Sequence, residues 1–135
     1  MTGRRPPSER RRISSGGPWG APAGYSRAIV VGDTCHVSGT TDAGPDGRTQ
    51  NPDDAGAQAR AVWTIIRKAL AEAGFGLDDV VRTRMYLTRI EDAAAVTAVH
   101  GELFREIRPA STLVQVAGLI DPSLLIEIEA EARRS

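Results

Sequence analysis

Apolar positions along the chain change period several times, and each change marks an element. Residues 28–31 and 34–37 are short β-prone runs on either side of Gly32-Asp33. A glycine tolerates the positive φ of a two-residue turn, so they read as a hairpin. Residues 41–51 hold Gly44-Pro45-Asp46-Gly47 and read as a loop. The period then becomes helical, with Val62, Ile65, Ile66, Ala69, Leu70 and Ala73 forming one apolar stripe. Asn51 is the expected N-cap of this helix, with Pro52 in its first turn, Asp53 and Asp54 at the positive end of its dipole, and Gly74 as its stop.

Residues 79–87 alternate. Val81, Thr83, Met85 and Leu87 are expected on the core face, and Val80, Arg82, Arg84 and Tyr86 on the other. A capping box, Thr88 to Glu91, predicts the start of a second helix. Its stripe is Val96, Val99, Leu103, Phe104 and Ile107, and Pro109 is its expected end. Residues 112–116 and 124–130 read as two more strands around a turn at 118–123. The order β-β-α-β-α-β-β, with a hairpin at each end, predicts an α+β fold: a mixed β-sheet with two helices packed on one face. The opposite face, with Arg82, Arg84, Glu127 and Glu129, calls for water or a partner subunit.

The chain has 135 residues, the size of one domain. Residues 1–12 hold five arginines against Glu9. With Pro6-Pro7 they predict a disordered basic tail, followed by an extended arm over 13–24 that Trp19 packs down, within a single domain over 13–135. The chain is neutral overall, with 17 basic and 17 acidic residues, so the part beyond the tail is mildly acidic. That weighs against nucleic acid as a partner. Cys35 is the one cysteine, which fits a reducing compartment. No apolar run is long enough to span a membrane and no secretory signal is evident, so a cytoplasmic protein is expected. No Cys/His spacing for zinc, no P-loop and no dinucleotide fingerprint is present, so no metal and no cofactor are implied.

Several fragments taken together resemble the RidA (YjgF-like) family. They are Gly24-Tyr25-Ser26-Arg27-Ala28, Gly32-Asp33, Val37-Ser38-Gly39, Gln58, Ala73-Gly74, Asp79-Val80-Val81, Pro109-Ala110 and Ile126-Glu127-Ile128-Glu129-Ala130. The resemblance covers about residues 13–132, in order and spacing. It implies a chorismate-mutase-like fold and a homotrimeric barrel with small-ligand clefts between subunits. It also implies hydrolysis of reactive enamines and imines, such as 2-aminoacrylate, to a keto compound and ammonia.

Such chemistry needs a group to hold the substrate carboxylate, and an arginine fork matches two carboxylate oxygens. In the family an arginine follows Pro-Ala. Here Ser111 stands there, and the lost charge weakens a partly desolvated carboxylate by about 2–5 kcal/mol. With a neutral hydroxyl at that position, no fixed cation is expected in the cleft. Two further departures are Thr97, where the family commonly has asparagine, and His100, where an aromatic is usual. His100 also reads as a packing residue on the second helix. The resemblance assigns water activation to Glu127, although the spacing from Ser111 is one residue longer than in arginine-bearing members. Glu127 and Glu129 also read as a salt-bridged strand face with Arg82 and Arg84.

Ser38 and Gly39 offer hydroxyl and backbone donors to a ligand, and Tyr25 a cleft wall. His36 shares a face with Ser38, but same-face neighbours lie about 7 Å apart, too far for a nucleophile and its base. The expected function is an imine or enamine deaminase of altered substrate range, acting on a small imine, enamine or carbonyl ligand. A non-catalytic binding or regulatory protein is the alternative, and ribonuclease or translation-inhibitor activity is the least favoured.

Overall fold

The computed structural model describes residues 10–135. Its strands are β1 (Arg10–Ile13), β2 (Ala28–Val31), β3 (Thr34–Thr40), β4 (Val80–Leu87), β5 (Ala110–Gln115) and β6 (Ile126–Arg133). Its helices are the single turn α1 (Gly20–Ala23), α2 (Ala55–Glu72) and α3 (Ala93–Phe104). Six strands form one sheet in the order β1-β2-β3-β6-β4-β5. The β4–β5 pair is parallel and the others are antiparallel. The fold is therefore the expected α+β mixed sheet with two helices on one face.

Several expectations are corrected. Residues 10–12, assigned to a disordered tail, belong to β1, which pairs with β2 from Arg10↔Val31 to Ile13↔Ala28. Composition misleads here because an edge strand with one open side tolerates charge, and charge guards it against further pairing. Residues 1–9 of that expected tail lie outside the described residues. The arm is not extended throughout either: it contains α1, and Trp19, expected to pack it down, is 48 % exposed.

The C-terminal hairpin does not exist. β6 leaves β5 and inserts between β3 and β4, while β5 pairs in parallel with β4. A register shift between Val80 and Arg82 inverts the start of β4, so Val80 is buried and Val81 is 50 % exposed. Beyond this bulge the alternation recovers, and Thr83, Met85 and Leu87 face the helices.

Both helix starts also move. Asp54, not Asn51, caps α2, its side chain accepting from the Ala57 amide at 2.9 Å. Thr88 makes no capping bond; its amide donates to Leu125 O and so continues the sheet. A 3-10 turn over Ile90–Asp92 leads into α3, steadied by an Arg89–Asp92 ion pair at 2.9 Å.

The core lies between the sheet and the two helices. Val62, Ile66, Ala69 and Leu70 of α2 meet Val37, Met85, Leu87, Ile126 and Ile128 of the sheet. Burial of each large side chain contributes about 1.5–3 kcal/mol. The far end of α2 is held by two guanidiniums at its negative pole: Arg11 donates to Glu72 O and Arg134 to Gly74 O.

Candidate functional site

The face of the sheet away from the helices carries Ser38 on β3, Arg84 and Tyr86 on β4, and Glu127, Glu129 and Glu131 on β6. Cross-strand pairing sets Tyr86 beside Glu127 and Arg84 beside Glu129. Arg84 bonds Glu131 at 2.8 Å and stands 3.7 Å from Glu129. The Tyr86 hydroxyl donates to Glu129 at 2.5 Å. The salt-bridged face foreseen with Arg82 and Arg84 thus forms in part: Arg84 takes Glu129 and Glu131, while among the described residues Arg82 pairs with neither and Glu127 is bypassed. Among the described residues none donates a hydrogen bond to the Glu127 carboxylate, which is half-buried.

Burial pushes the Glu127 carboxyl above its usual range, and the neighbouring Glu129 pushes it further. Gly39 makes room for it. A methyl group built there would fall far inside van der Waals distance of Glu127 Oε2 and 3.1 Å from its Cδ.

The raised pKa has a consequence for stability. A carboxyl whose folded pKa exceeds its unfolded value holds its proton longer in the folded state. The folded state therefore loses stability as pH rises from the ordinary glutamate range, about 4.3, through the raised folded value. Glu127→Gln is expected to stabilise the fold at pH 7, by less than about 1 kcal/mol because solvent screens a half-exposed group. The gain should vanish below pH ~4, where both proteins are neutral at this position. Thermal unfolding at the two pH values checks it.

Tyr25 and Ser38 line a cleft of about 600 Å³ beside this face, with Gly24, Ser26 and Ile29. Tyr25 is 46 % exposed. Ser38 does not offer the donors expected of it. Its hydroxyl donates to Ser26 O at 2.6 Å and its amide to Arg27 O at 2.9 Å. What remains towards a ligand is hydroxyl lone pairs. His36 faces Glu131 at 3.9 Å, so the discounted Ser–His pair stays unformed. Arg10 and Arg12 also line the cleft. Both come from β1, the segment that composition assigned to the tail.

Ser111 and His100 lie on the other side of the sheet. β5 sets Ser111 beside Thr83 of β4, under the helices. Thr83 is fully buried, 2.8 Å from Ser111 Oγ and 2.9 Å from His100 Nε2. The half-buried His100 ring packs against Phe104 at 4.7 Å and Trp63 at 5.8 Å, and burial lowers its pKa. Thr97, also on α3, is exposed.

Six of the seven expected site residues thus fall into two groups, Tyr25, Ser38, Gly39 and Glu127 on the open face, and His100 and Ser111 on the helix face, while the exposed Thr97 joins neither. The sheet separates them within one chain. Thr83, which joins the second group, was missed because a threonine on the core face of a strand reads as β-branched filler.

Known proteins agree with this fold. The family model described as endoribonuclease L-PSP matches residues 19–134. The chain belongs to that family, which is also called YjgF or RidA. It is 39 % identical over 124 residues to an uncharacterized protein of Streptomyces coelicolor, covering 92 % of each. It is 36 % identical over 110 residues to the 3-aminoacrylate deaminase RutC of Acinetobacter baylyi, covering 82 % of this chain and 86 % of that protein.

Among solved structures, a member of the YjgF/YER057c/UK114 family from Mycobacterium tuberculosis superimposes with a TM-score of 0.84 at 43 % identity, over 93 % of this chain and 99 % of that one. The YjgF gene product of E. coli does so with a TM-score of 0.79 at 30 % identity, over 93 % and 99 %.

Proposed function

We propose that this protein is a homotrimeric imine or enamine deaminase of altered substrate range, acting in clefts between subunits in the cytoplasm. The observation that carries the reading is the Glu127 carboxylate, half-buried over Gly39, with its pKa raised and no donor bound to it among the described residues. A carboxylate so placed is a general base suited to water. It takes a proton as water adds to the imine carbon and returns it to the departing nitrogen. The products are a keto compound and ammonia. The 36 % identity to a 3-aminoacrylate deaminase supports this reaction class.

The trimer is supported by what one chain leaves incomplete. Ser111 and Glu127 occupy opposite faces of the sheet, so a single cleft using both needs a second copy. The β5 side is open to such a copy, with Val114 41 % and Ile120 91 % exposed.

The test generates imines from a panel of amino acids with an amino-acid oxidase and traps survivors with semicarbazide. Faster imine loss with the wild-type protein is expected, falling about 100-fold or more in Glu127→Gln. Ser111→Arg is expected to gain turnover of 2-aminoacrylate. No acceleration across the panel sinks the deaminase and leaves a small-molecule-binding protein. RNA cleavage that copurified with the protein and vanished in a cleft variant would favour the ribonuclease instead.

A further inference from the structure

Thr83 Oγ1 carries one proton and has two polar neighbours, His100 Nε2 at 2.9 Å and Ser111 Oγ at 2.8 Å. It is fully buried, so water does not supply the missing half of either bond. Only two arrangements satisfy both bonds and also give the buried Thr83 proton an acceptor. In the first, His100 Nε2–H donates to Thr83, Thr83 donates to Ser111, and the Ser111 proton is free to point outward. In the second, Ser111 donates to Thr83, Thr83 donates to a bare His100 Nε2, and Ser111 turns lone pairs outward. The tautomer of His100 therefore decides whether the exposed hydroxyl acts as donor or acceptor.

We propose that Ser111, Thr83 and His100 form a proton relay whose outer end, Ser111 Oγ, binds an uncharged carbonyl, imine or hydroxyl group of the ligand rather than a carboxylate. Ser111 is the residue that touches the ligand; Thr83 and His100 are positioning residues that act through it. The step balances. A hydroxyl or imine N–H ligand gives its proton to Ser111 Oγ as the Ser111 proton passes to Thr83 and the Thr83 proton to His100 Nε2. The resulting imidazolium releases its Nδ1 proton to solvent. The ligand loses one proton, solvent gains one, and no electrons change hands. A carbonyl, by contrast, only accepts from Ser111 in the first arrangement, and no proton is transferred.

Burial of the ring favours neutral imidazole, the form that can accept. Phe104 and Trp63 at 4.7 and 5.8 Å fix its plane. The three residues come from β4, β5 and α3, and the β4–β5 register alone puts Thr83 beside Ser111.

This inference deepens the deaminase reading but is tested apart from it. The probe is pyruvamide, uncharged, with pyruvate as its charged counterpart, and the readout is the pair of His100 imidazole nitrogens by 15N NMR on the full chain. Pyruvamide is expected to shift the balance of the two nitrogens in the wild-type protein, and pyruvate to shift it less. Thr83→Val should abolish the response, since it keeps the shape and removes the hydroxyl. Thr83→Ser should restore it, and a merely structural threonine would not show that pattern.

An unchanged response in Thr83→Val overturns the relay. A response to pyruvate as large as that to pyruvamide overturns the preference for an uncharged group, as does failure of pyruvamide to bind. Imine hydrolysis that depends on Glu127 but is indifferent to Thr83→Val keeps the deaminase and removes the relay.

Discussion

Replacing Gln58 with leucine is expected to cost about 3–5 kcal/mol, a large part of the roughly 5–15 kcal/mol that holds a domain together. Gln58 is fully buried on the first turns of α2, and every arm of its amide is used. Its Nε2 donates to Asn51 O and to Ser123 O, both at 3.1 Å, and its Oε1 accepts from the Leu125 amide at 2.8 Å. Leucine fills similar volume but leaves two carbonyls and one amide without partners, each costing about 1–3 kcal/mol where water cannot reach.

The loss should spread. Asn51 also bonds the buried Asp42, which accepts from Thr49, and Thr49 N donates to Ser123 Oγ. One side chain thus pins the 41–51 loop to the turn that launches β6. Denaturant unfolding should show a lower midpoint with an unchanged slope. A cost under about 1 kcal/mol would mean the three groups find other partners. The residue was visible in the sequence only as a match to the family. A glutamine among apolar neighbours has no local pattern that announces a buried amide.

The same distinction runs through the rest of the fold. Elements whose signal is local were legible: the β2–β3 hairpin from Gly32, which adopts φ 59°, the α2 stripe, and the alternation of β6. Pairings between distant segments were not. Nothing in residues 124–130 says that they insert between β3 and β4, and two strands joined by a turn read as a hairpin by default. β1 was hidden for another reason, because its arginines serve two sides at once. Arg11 turns to the end of α2 while Arg10 and Arg12 turn to the cleft, and composition sees only a basic run.

The candidate site was half legible. Residue matches carried Tyr25, Ser38, Gly39, Glu127 and Ser111 into view, but sequence gives no account of faces on a sheet whose order is unknown. Hence the division of the site by the sheet, and the link through Thr83, emerged only from the strand register.

Gly39→Ala is expected to cut imine turnover about 100-fold while leaving the fold nearly intact. The backbone at Gly39 does not require glycine, since its φ lies outside the left-handed region. What the new methyl meets is Glu127 Oε2, the far end of a flexible side chain. The carboxylate yields by swinging away, which costs little stability because no donor among the described residues holds it.

Catalysis is less forgiving, because a base displaced by about 1 Å can lose two orders of magnitude. The measurement is kcat/KM for the best imine of the panel beside Tm. In a Glu127→Gln background the same alanine should change neither by much, since the group it displaces no longer acts as a base. A fall in Tm that parallels the loss of activity would make Gly39 a packing position. Full activity in Gly39→Ala would mean that Glu127 does not work from the place where the sheet holds it.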